Sequence, residues 1–141
     1  MVAFGNLALV ATTLSLCLAQ YPATISFNPV YDSDFAVANT ACGGAEGPNP
    51  FSTLAASKGW TTLSQIQANL VASPLAVNRT ECGQCYRIAV NDNSINALVA
   101  DAAQSVWVLG QSPEWATLSA GSLAGQLAGT VQQVAQSNCV V

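Results

Sequence analysis

The chain has 141 residues, of which only 7% are charged, and its seven acidic and three basic side chains give a formal net charge of −4 at pH 7. Since proteins average about 25% charged residues, the polarity of this chain rests on Ser, Thr, Asn, Gln and Gly. This balance argues against a nucleic-acid or anionic-membrane partner, and it suits uncharged ligands such as polysaccharides and lowers the barrier to self-association.

An uncharged apolar run, LALVATTLSLCLA, occupies residues 7–19. It is shorter than the roughly 20 residues that span a bilayer, but it suits the hydrophobic region of a secretory leader. Cys17 and Ala19 give a small-x-small cleavage pattern, although no Lys or Arg precedes the run. We therefore predict a signal peptide over residues 1–19 and one mature, secreted domain over residues 20–141. The alternative is a buried N-terminal strand or helix.

Cleavage after residue 19 would remove Cys17 and leave Cys42, Cys82, Cys85 and Cys139. In an exported chain this even count favours two disulfides. The segment CGQC could also be a redox dithiol or half of a zinc site. The predicted strand that follows it disfavours a redox dithiol, and the absence of histidine disfavours zinc. Chain entropy favours bridges from Cys82 and Cys85 to distant partners, because each such bridge would stabilise the fold by about 4 kcal/mol. It does not distinguish Cys42–Cys82 with Cys85–Cys139 from the crossed pairing, Cys42–Cys85 with Cys82–Cys139.

Taken in chain order, the first predicted element is an edge-type strand over residues 24–27 that extends past Pro29 to residues 30–31. Residues 43–50 contain Gly and Pro and predict a loop. Short helices are predicted over residues 52–57 and 64–71.

Apolar–polar alternation over residues 86–91 and 95–101 predicts a hairpin with an Asx-rich turn over residues 92–94. This turn lacks the spaced carboxylates of a calcium loop. Further strands are predicted over residues 106–109 and 130–135.

Between these last two strands, Ser112-Pro113-Glu114 predicts the start of a short helix. Many short strands with small helices between them favour a mainly β barrel of the α+β class.

Six segments, in order across residues 20–141, resemble the cerato-platanin family of small secreted fungal proteins: ISFNPVYD, ACGG, KGWTTL, ECGQCYRI, SINALVADAA and TVQQVAQSNC. The resemblance implies a six-stranded double-ψ β-barrel with short helices, related to expansins. It also implies the disulfides Cys42–Cys82 and Cys85–Cys139, a pairing that chain entropy leaves open. No cofactor and no metal are expected.

The resemblance places Asp101, at the end of its strand, in a shallow surface groove. The alternative is a carboxylate that only accepts hydrogen bonds from neighbouring backbone. Hydrolysis of a glycoside needs two carboxylates flanking the bond, and the sequence does not place Asp32, Asp34 or Asp92 opposite Asp101. Without histidine, a Ser-His-Asp or Cys-His site is excluded. The candidate carbohydrate-binding residues are Asp101, Asn96, Tyr31 and Asp32.

Aromatic side chains are further candidates, because their rings could stack on sugar faces. Such residues lie more often in the core, above all Trp107 inside an apolar strand. The candidates are Trp60, Trp107, Trp115 and Tyr86.

The function that the resemblance implies is a non-catalytic secreted protein, extracellular or associated with the cell wall. It binds chitin or N-acetylglucosamine oligomers or other wall glycans, loosens wall polysaccharide, and is perceived by plants as an elicitor or toxin, so a plant receptor is a further partner. One alternative is a weak expansin-like enzyme that acts on β-1,4-glucan through Asp101. Another is a hydrophobin-like surface-active protein that self-assembles. The sequon Asn78-Arg79-Thr80 predicts N-glycosylation at Asn78.

Overall fold

The fold is a closed barrel, seen in a computed structural model that describes residues 19–44 and 46–140. Six strands among these residues lie in the order β1-β5-β2-β4-β3-β6. Helix α1 spans Pro50–Lys58 and helix α2 spans Ala116–Ser119. No helix of the described residues combines the length and the apolar character needed to cross a membrane. The strands are β1 Gln20–Phe27, β2 Leu70–Ser73, β3 Cys85–Val90, β4 Asn93–Ala102, β5 Trp107–Leu109 and β6 Gln126–Val134.

Strand β1 closes the barrel, because it pairs in parallel with β5 and antiparallel with β6. The prediction of an edge-type first strand is therefore wrong, since β1 has a partner on each side. The predicted extension past Pro29 is also wrong. Pro29 begins a 3₁₀ turn, Pro29–Asp32, and the Asn28 side chain caps it by accepting a hydrogen bond from the Val30 backbone N–H at 3.0 Å.

The predicted helix over residues 52–57 is confirmed as part of α1. A capping box of Asn49 and Ser52 begins this helix, and Gly59, at φ 70°, ends it in the left-handed conformation. The predicted helix over residues 64–71 is wrong. Only Leu63–Gln65 forms a 3₁₀ turn there, and Leu70–Ser73 is a strand with every residue buried. A strand buried on both faces lacks alternation, so its short apolar run resembles a helix segment.

The remaining strand predictions are confirmed. Strands β3 and β4 form the expected hairpin, in which Ile88 pairs with Ile95, and β6 begins earlier than predicted. The helix predicted to begin at Ser112 is displaced along the chain. Ser112 is extended, at φ −138° and ψ 128°, within an irregular turn, and α2 begins only at Ala116.

Buried side chains from every strand form the core of the barrel, and α1 and α2 add Phe51 and Leu118. The largest fully buried strand side chains are Ile25, Val71, Ile88, Leu98, Val99, Leu109 and Val131.

Two disulfides are present: Cys42–Cys82 joins two loops and Cys85–Cys139 joins β3 to the C-terminal segment, with sequence separations of 40 and 54 residues. This is the pairing that the family resemblance implies. Because the two cysteines of CGQC belong to different bridges, the segment is not a redox dithiol. The predicted leader falls mainly on residues 1–18, which lie outside the described residues.

Candidate functional site

Asp101 lies at the centre of a hydrogen-bond network near the end of β4. Its Oδ1 accepts hydrogen bonds from the backbone N–H groups of Ala41 at 2.7 Å and Ala102 at 2.9 Å. Its Oδ2 accepts one from the Tyr31 hydroxyl at 3.1 Å. The register between β2 and β4 shifts between Val71 and Ala72, beside Asp101, and such bulges re-aim side chains. The half-buried carboxylate thus joins β4 to two separate loops.

Tyr31 is the side chain that Asp101 orients. Burial, together with the neighbouring Asp101 carboxylate, raises the pKa of Tyr31 well above its usual range. The phenol therefore stays protonated and remains a donor to Asp101. Since Tyr31 is itself held in the capped turn Pro29–Asp32, both its backbone and its hydroxyl are fixed.

Arg79 fixes the loop that supplies the Ala41 N–H group. Its Nε donates to the Ala41 carbonyl at 2.9 Å, and its Nη1 donates to the Glu46 carbonyl at 2.7 Å. The disulfide Cys42–Cys82 anchors the same loop. In the sequence, Arg79 stands out only as the middle residue of the sequon. Its role was not visible there, because the hydrogen bonds run to backbone oxygens more than thirty positions away.

A groove of about 340 Å³ lies beside Tyr31. This volume falls within the range of about 300–1,000 Å³ that is typical of ligand sites. Asp101 stands behind Tyr31 and is not part of the lining. No lysine or arginine of the described residues lines the groove. Its polar lining includes Tyr31, Asp32, Gln67, Asn69, Ser112 and Glu114.

Asp32 and Glu114 bring two carboxylates to one wall of this groove. Asp32 Oδ2 accepts hydrogen bonds from the backbone N–H groups of Gln111 at 2.7 Å and Ser112 at 3.1 Å. A Cβ placed on Gly110 would overlap Asp32 Oδ1 and would lie 3.1 Å from Glu114 Oε2. The two carboxylates therefore converge over Gly110, where only a glycine leaves room for them.

Glu114 is a buried acid, whereas the sequence predicts for it only a place at the start of a helix. The residue is 7% exposed, and its Oε2 has no hydrogen-bond partner within the described part of the chain. Burial raises the pKa of the Glu114 carboxyl, a backbone hydrogen bond partly opposes this, and the nearby Asp32 carboxylate raises it further. The burial depends on the turn before α2, which sequence analysis misplaced.

The structure does not bring Asn96 to Asp101. Asn96 lines a separate groove with Arg87 and Asn138, and its Nδ2 lies 3.4 Å from the Asn138 carbonyl oxygen that it donates to. Its own carbonyl accepts a hydrogen bond from Asn69 Nδ2 at 2.9 Å, so Asn96 contacts a residue that lines the groove beside Tyr31.

Two other acids named from the sequence lie elsewhere. Asp34 accepts a hydrogen bond from the Ser64 hydroxyl. Asp92 is exposed in the turn that opens the long strand β4, and Asp101 lies near the end of that strand. No group of three or more His, Cys, Asp or Glu among the described residues could hold a metal ion.

The aromatic candidates lie mainly in the core. Tyr86 and Trp107 are buried with ring centroids 4.8 Å apart, and Trp115 is buried against Phe27 at 5.0 Å. Trp60 is half-buried. In the described structure Tyr31, which sequence analysis did not count among the stacking candidates, is the aromatic residue that lines the groove.

Asn78 is exposed at the end of the 3₁₀ turn Pro74–Asn78, and Thr80 is exposed as well. Both residues that define the sequon therefore face solvent, which is the geometry that a glycosylation site needs.

A closed six-stranded mixed barrel with two disulfides and two short helices defines the class: a small disulfide-stabilised β-barrel protein. The cerato-platanin family model matches residues 23–141, and the chain belongs to the cerato-platanin family. The resemblance identified in the sequence is thereby confirmed. No curated protein matches the chain.

Solved structures agree with this assignment. Cerato-platanin 3 from M. perniciosa is 26% identical with a TM-score of 0.72, and the match covers 86% of this chain and 100% of that one. The solution structure of the fungal elicitor cerato-platanin is 23% identical with a TM-score of 0.67, covering 83% and 96%. An expansin from Clavibacter michiganensis, solved in complex with cellohexaose, is 15% identical with a TM-score of 0.55, covering 83% and 51%. The last two similarities concern the fold alone.

Proposed function

We propose that this chain is a secreted protein that binds chitin or N-acetylglucosamine oligomers, or other wall glycans, without cleaving them, in the groove beside Tyr31. The observation that carries the proposal is the Tyr31 ring, held by Asp101 next to the amide side chains of Gln67 and Asn69. An aromatic ring packs on the apolar face of a sugar. Amide groups both donate to and accept from hydroxyl and acetamido groups.

The candidate residues divide into different roles in this proposal. Tyr31 and Asp32 contact the glycan directly, because both line the groove. Asp101 acts as a positioning residue through its hydrogen bond with Tyr31. Asn96, in a separate groove, contacts only an oligomer long enough to extend past Asn69.

Export and biological role belong to the same proposal. Family membership and two disulfides support a secreted, extracellular or wall-associated protein with a leader over residues 1–19 and glycosylation at Asn78. The expansin complex with cellohexaose supports a polysaccharide as the partner. The relative described as a fungal elicitor supports an elicitor role, and hence a plant receptor, beside expansin-like wall loosening.

The geometry disfavours catalysis through Asp101. Both of its oxygens already accept hydrogen bonds from the protein: two backbone N–H groups on Oδ1 and the Tyr31 hydroxyl on Oδ2. A general acid or a nucleophile needs an oxygen within hydrogen-bond reach of the scissile bond. The weak-hydrolase alternative therefore has no support from this residue.

Self-association is a second candidate function, favoured by an uncharged groove of about 570 Å³ on another part of the barrel. Tyr21 and Leu75, respectively 45% and 46% exposed, line it, and its lining contains no charged side chain from residues 19–44 or 46–140. If the surface drives assembly, sedimentation should show concentration-dependent oligomers, and Leu75→Ser should abolish them.

The glycan proposal is tested by calorimetric titration of the purified protein with N-acetylglucosamine oligomers of increasing length, with cellulose oligomers run beside them. Gln67→Ala should weaken binding about fivefold, since a neutral hydrogen bond contributes about 1 kcal/mol. Gln104→Ala, an exposed amide outside the groove, is the matched control. Failure of every oligomer to bind would refute the proposal, and release of reducing sugar would refute its non-catalytic part.

A further inference from the structure

The carboxylates of Asp32 and Glu114 lie together in the groove, and an acetylated or otherwise neutral glycan offers no positive charge to pair with them. They converge over Gly110, and the groove wall that they form contains no lysine or arginine among the described residues. Glu114 is 7% exposed, and its Oε2 has no partner in the described chain. Buried polar groups are normally hydrogen-bonded and buried charges are normally paired, so this oxygen needs a donor.

We propose that the pair binds a primary ammonium group, supplied by the 2-amino group of a deacetylated glucosamine unit within a wall glycan. The inference rests on the proposed function, because it assigns one subsite of the same groove. It predicts that partly deacetylated chitin is a better ligand than fully acetylated chitin.

The number and arrangement of free acceptors favour an ammonium over a metal ion. Asp32 Oδ2 is already bonded to two backbone N–H groups, which leaves Asp32 Oδ1 and Glu114 Oε2 as the converging acceptors. An ammonium group has three donors and forms charge-assisted hydrogen bonds with carboxylates. Calcium takes six to eight oxygen ligands, and the described residues contain no acidic cluster of that kind.

The same site discriminates against an acetylated unit. An acetamido group is neutral, offers a single N–H and places a carbonyl oxygen where the two carboxylates already repel an acceptor. Glu114 lines the groove together with Asp32, so the pair is within reach of a glycan bound there.

The test compares a glucosamine tetramer with an N-acetylglucosamine tetramer by calorimetry, at about pH 6, where an amine is protonated. Wild-type protein should bind the glucosamine tetramer about tenfold more tightly. Glu114→Gln keeps the size of the side chain and should reduce this preference to about twofold or less, with little change in affinity for the acetylated tetramer. Asp32→Asn should also reduce the preference, but because Asp32 is placed in contact with the glycan this variant should weaken binding of both tetramers, so Glu114→Gln decides the matter.

Asp92→Asn is the matched control, because it removes the same charge from an exposed turn outside the groove. Equal affinity of the two tetramers would overturn the inference, and so would an equal loss of preference in Asp92→Asn. Calcium binding that Glu114→Gln removes, without any preference for the amine, would also overturn it. Binding of the acetylated tetramer alone leaves the proposed function standing, whereas binding of the glucosamine tetramer alone refutes the proposed acetylated ligand and supports the ammonium site.

Discussion

The hydrogen bond between Tyr31 and Asp101 provides the sharpest test of how the groove is built. Two substitutions address it: Tyr31→Phe removes the hydroxyl donor, and Asp101→Asn removes the charge while retaining the shape of the side chain. Both residues are half-buried, so water replaces the lost contacts only in part. We expect each variant to lose stability and glycan affinity together, since the bond fixes the ring that lines the groove.

The magnitudes follow from the number of hydrogen bonds at Asp101. Tyr31→Phe leaves Oδ2 without its Tyr31 donor, which costs about 1–2 kcal/mol. Asp101→Asn weakens three charge-assisted bonds without deleting the two to backbone N–H groups, which costs about 2 kcal/mol. In a domain of this size, each kcal/mol lowers the thermal midpoint by about 4 °C. Oligosaccharide binding should weaken about tenfold, which corresponds to about 1.4 kcal/mol.

The assay is a double-mutant cycle with unfolding in denaturant and oligomer titration measured on the same four proteins. Because the two residues share one bond, the double variant should lose about 1 kcal/mol less stability than the sum of the single variants. A coupling energy below about 0.3 kcal/mol would mean independent sites and would refute the reasoning. If stability falls and affinity does not, Asp101 holds its loops together but does not position a binding residue.

Three other predictions concern the bridges, the buried acid and the mature chain. Cys85→Ala with Cys139→Ala should destabilise the domain by about 4 kcal/mol, because the bridge closes a loop of 54 residues; a loss below about 1 kcal/mol in denaturant unfolding would contradict this. Burial raises the pKa of Glu114 above its usual value of 4.5, so the folded state retains this proton to higher pH and the contribution of Glu114 to stability falls as pH rises above about 4.5. Glu114→Gln lacks this loss, so its stability relative to wild type should grow between pH 4 and pH 7, and a constant difference would contradict the assignment. Mass spectrometry of protein secreted from a eukaryotic host should find a chain that begins near Gln20 and carries a glycan that Asn78→Gln removes; an N-terminal Met1 would refute the leader.

Much of the barrel could be predicted from the sequence, because its strands carry local signals. The hairpin of β3 and β4 alternates apolar and polar residues on the two sides of an Asx-rich turn. Helix α1 begins at Asn49-Pro50 and ends at Gly59, as helices with a strong cap and a left-handed terminator do. In these segments the local propensity and the tertiary structure favour the same conformation.

The incorrect predictions concern segments whose conformation depends on tertiary contacts rather than on the local sequence. Strand β2 is buried on both faces between β4 and β5, so its four residues show no alternation, and a helix fits them equally well. The pairing of β1 with β5 joins residues far apart in the chain, and no local signal predicts it. Asp101 and Tyr31 could be named as candidates through the family resemblance. Glu114 could not be identified as a site residue, because its significance lies in its burial beside Asp32.

The disulfide Cys42–Cys82 and the hydrogen bonds around Asp101 stabilise the same loop. Asp101 accepts a hydrogen bond from the backbone N–H group of Ala41. The residue after Ala41 is Cys42, which is bridged to Cys82. Arg79 holds the carbonyl of the same Ala41 residue. If the loop that carries Ala41 were flexible, holding its N–H group at Asp101 would cost conformational entropy. Because the loop is cross-linked, that entropy is already lost on folding. With so few charges on the chain, the loops around Asp101 are ordered mainly by a covalent bridge and by hydrogen bonds to the backbone, and the acidic residues that line the groove among the described residues are Asp32 and Glu114.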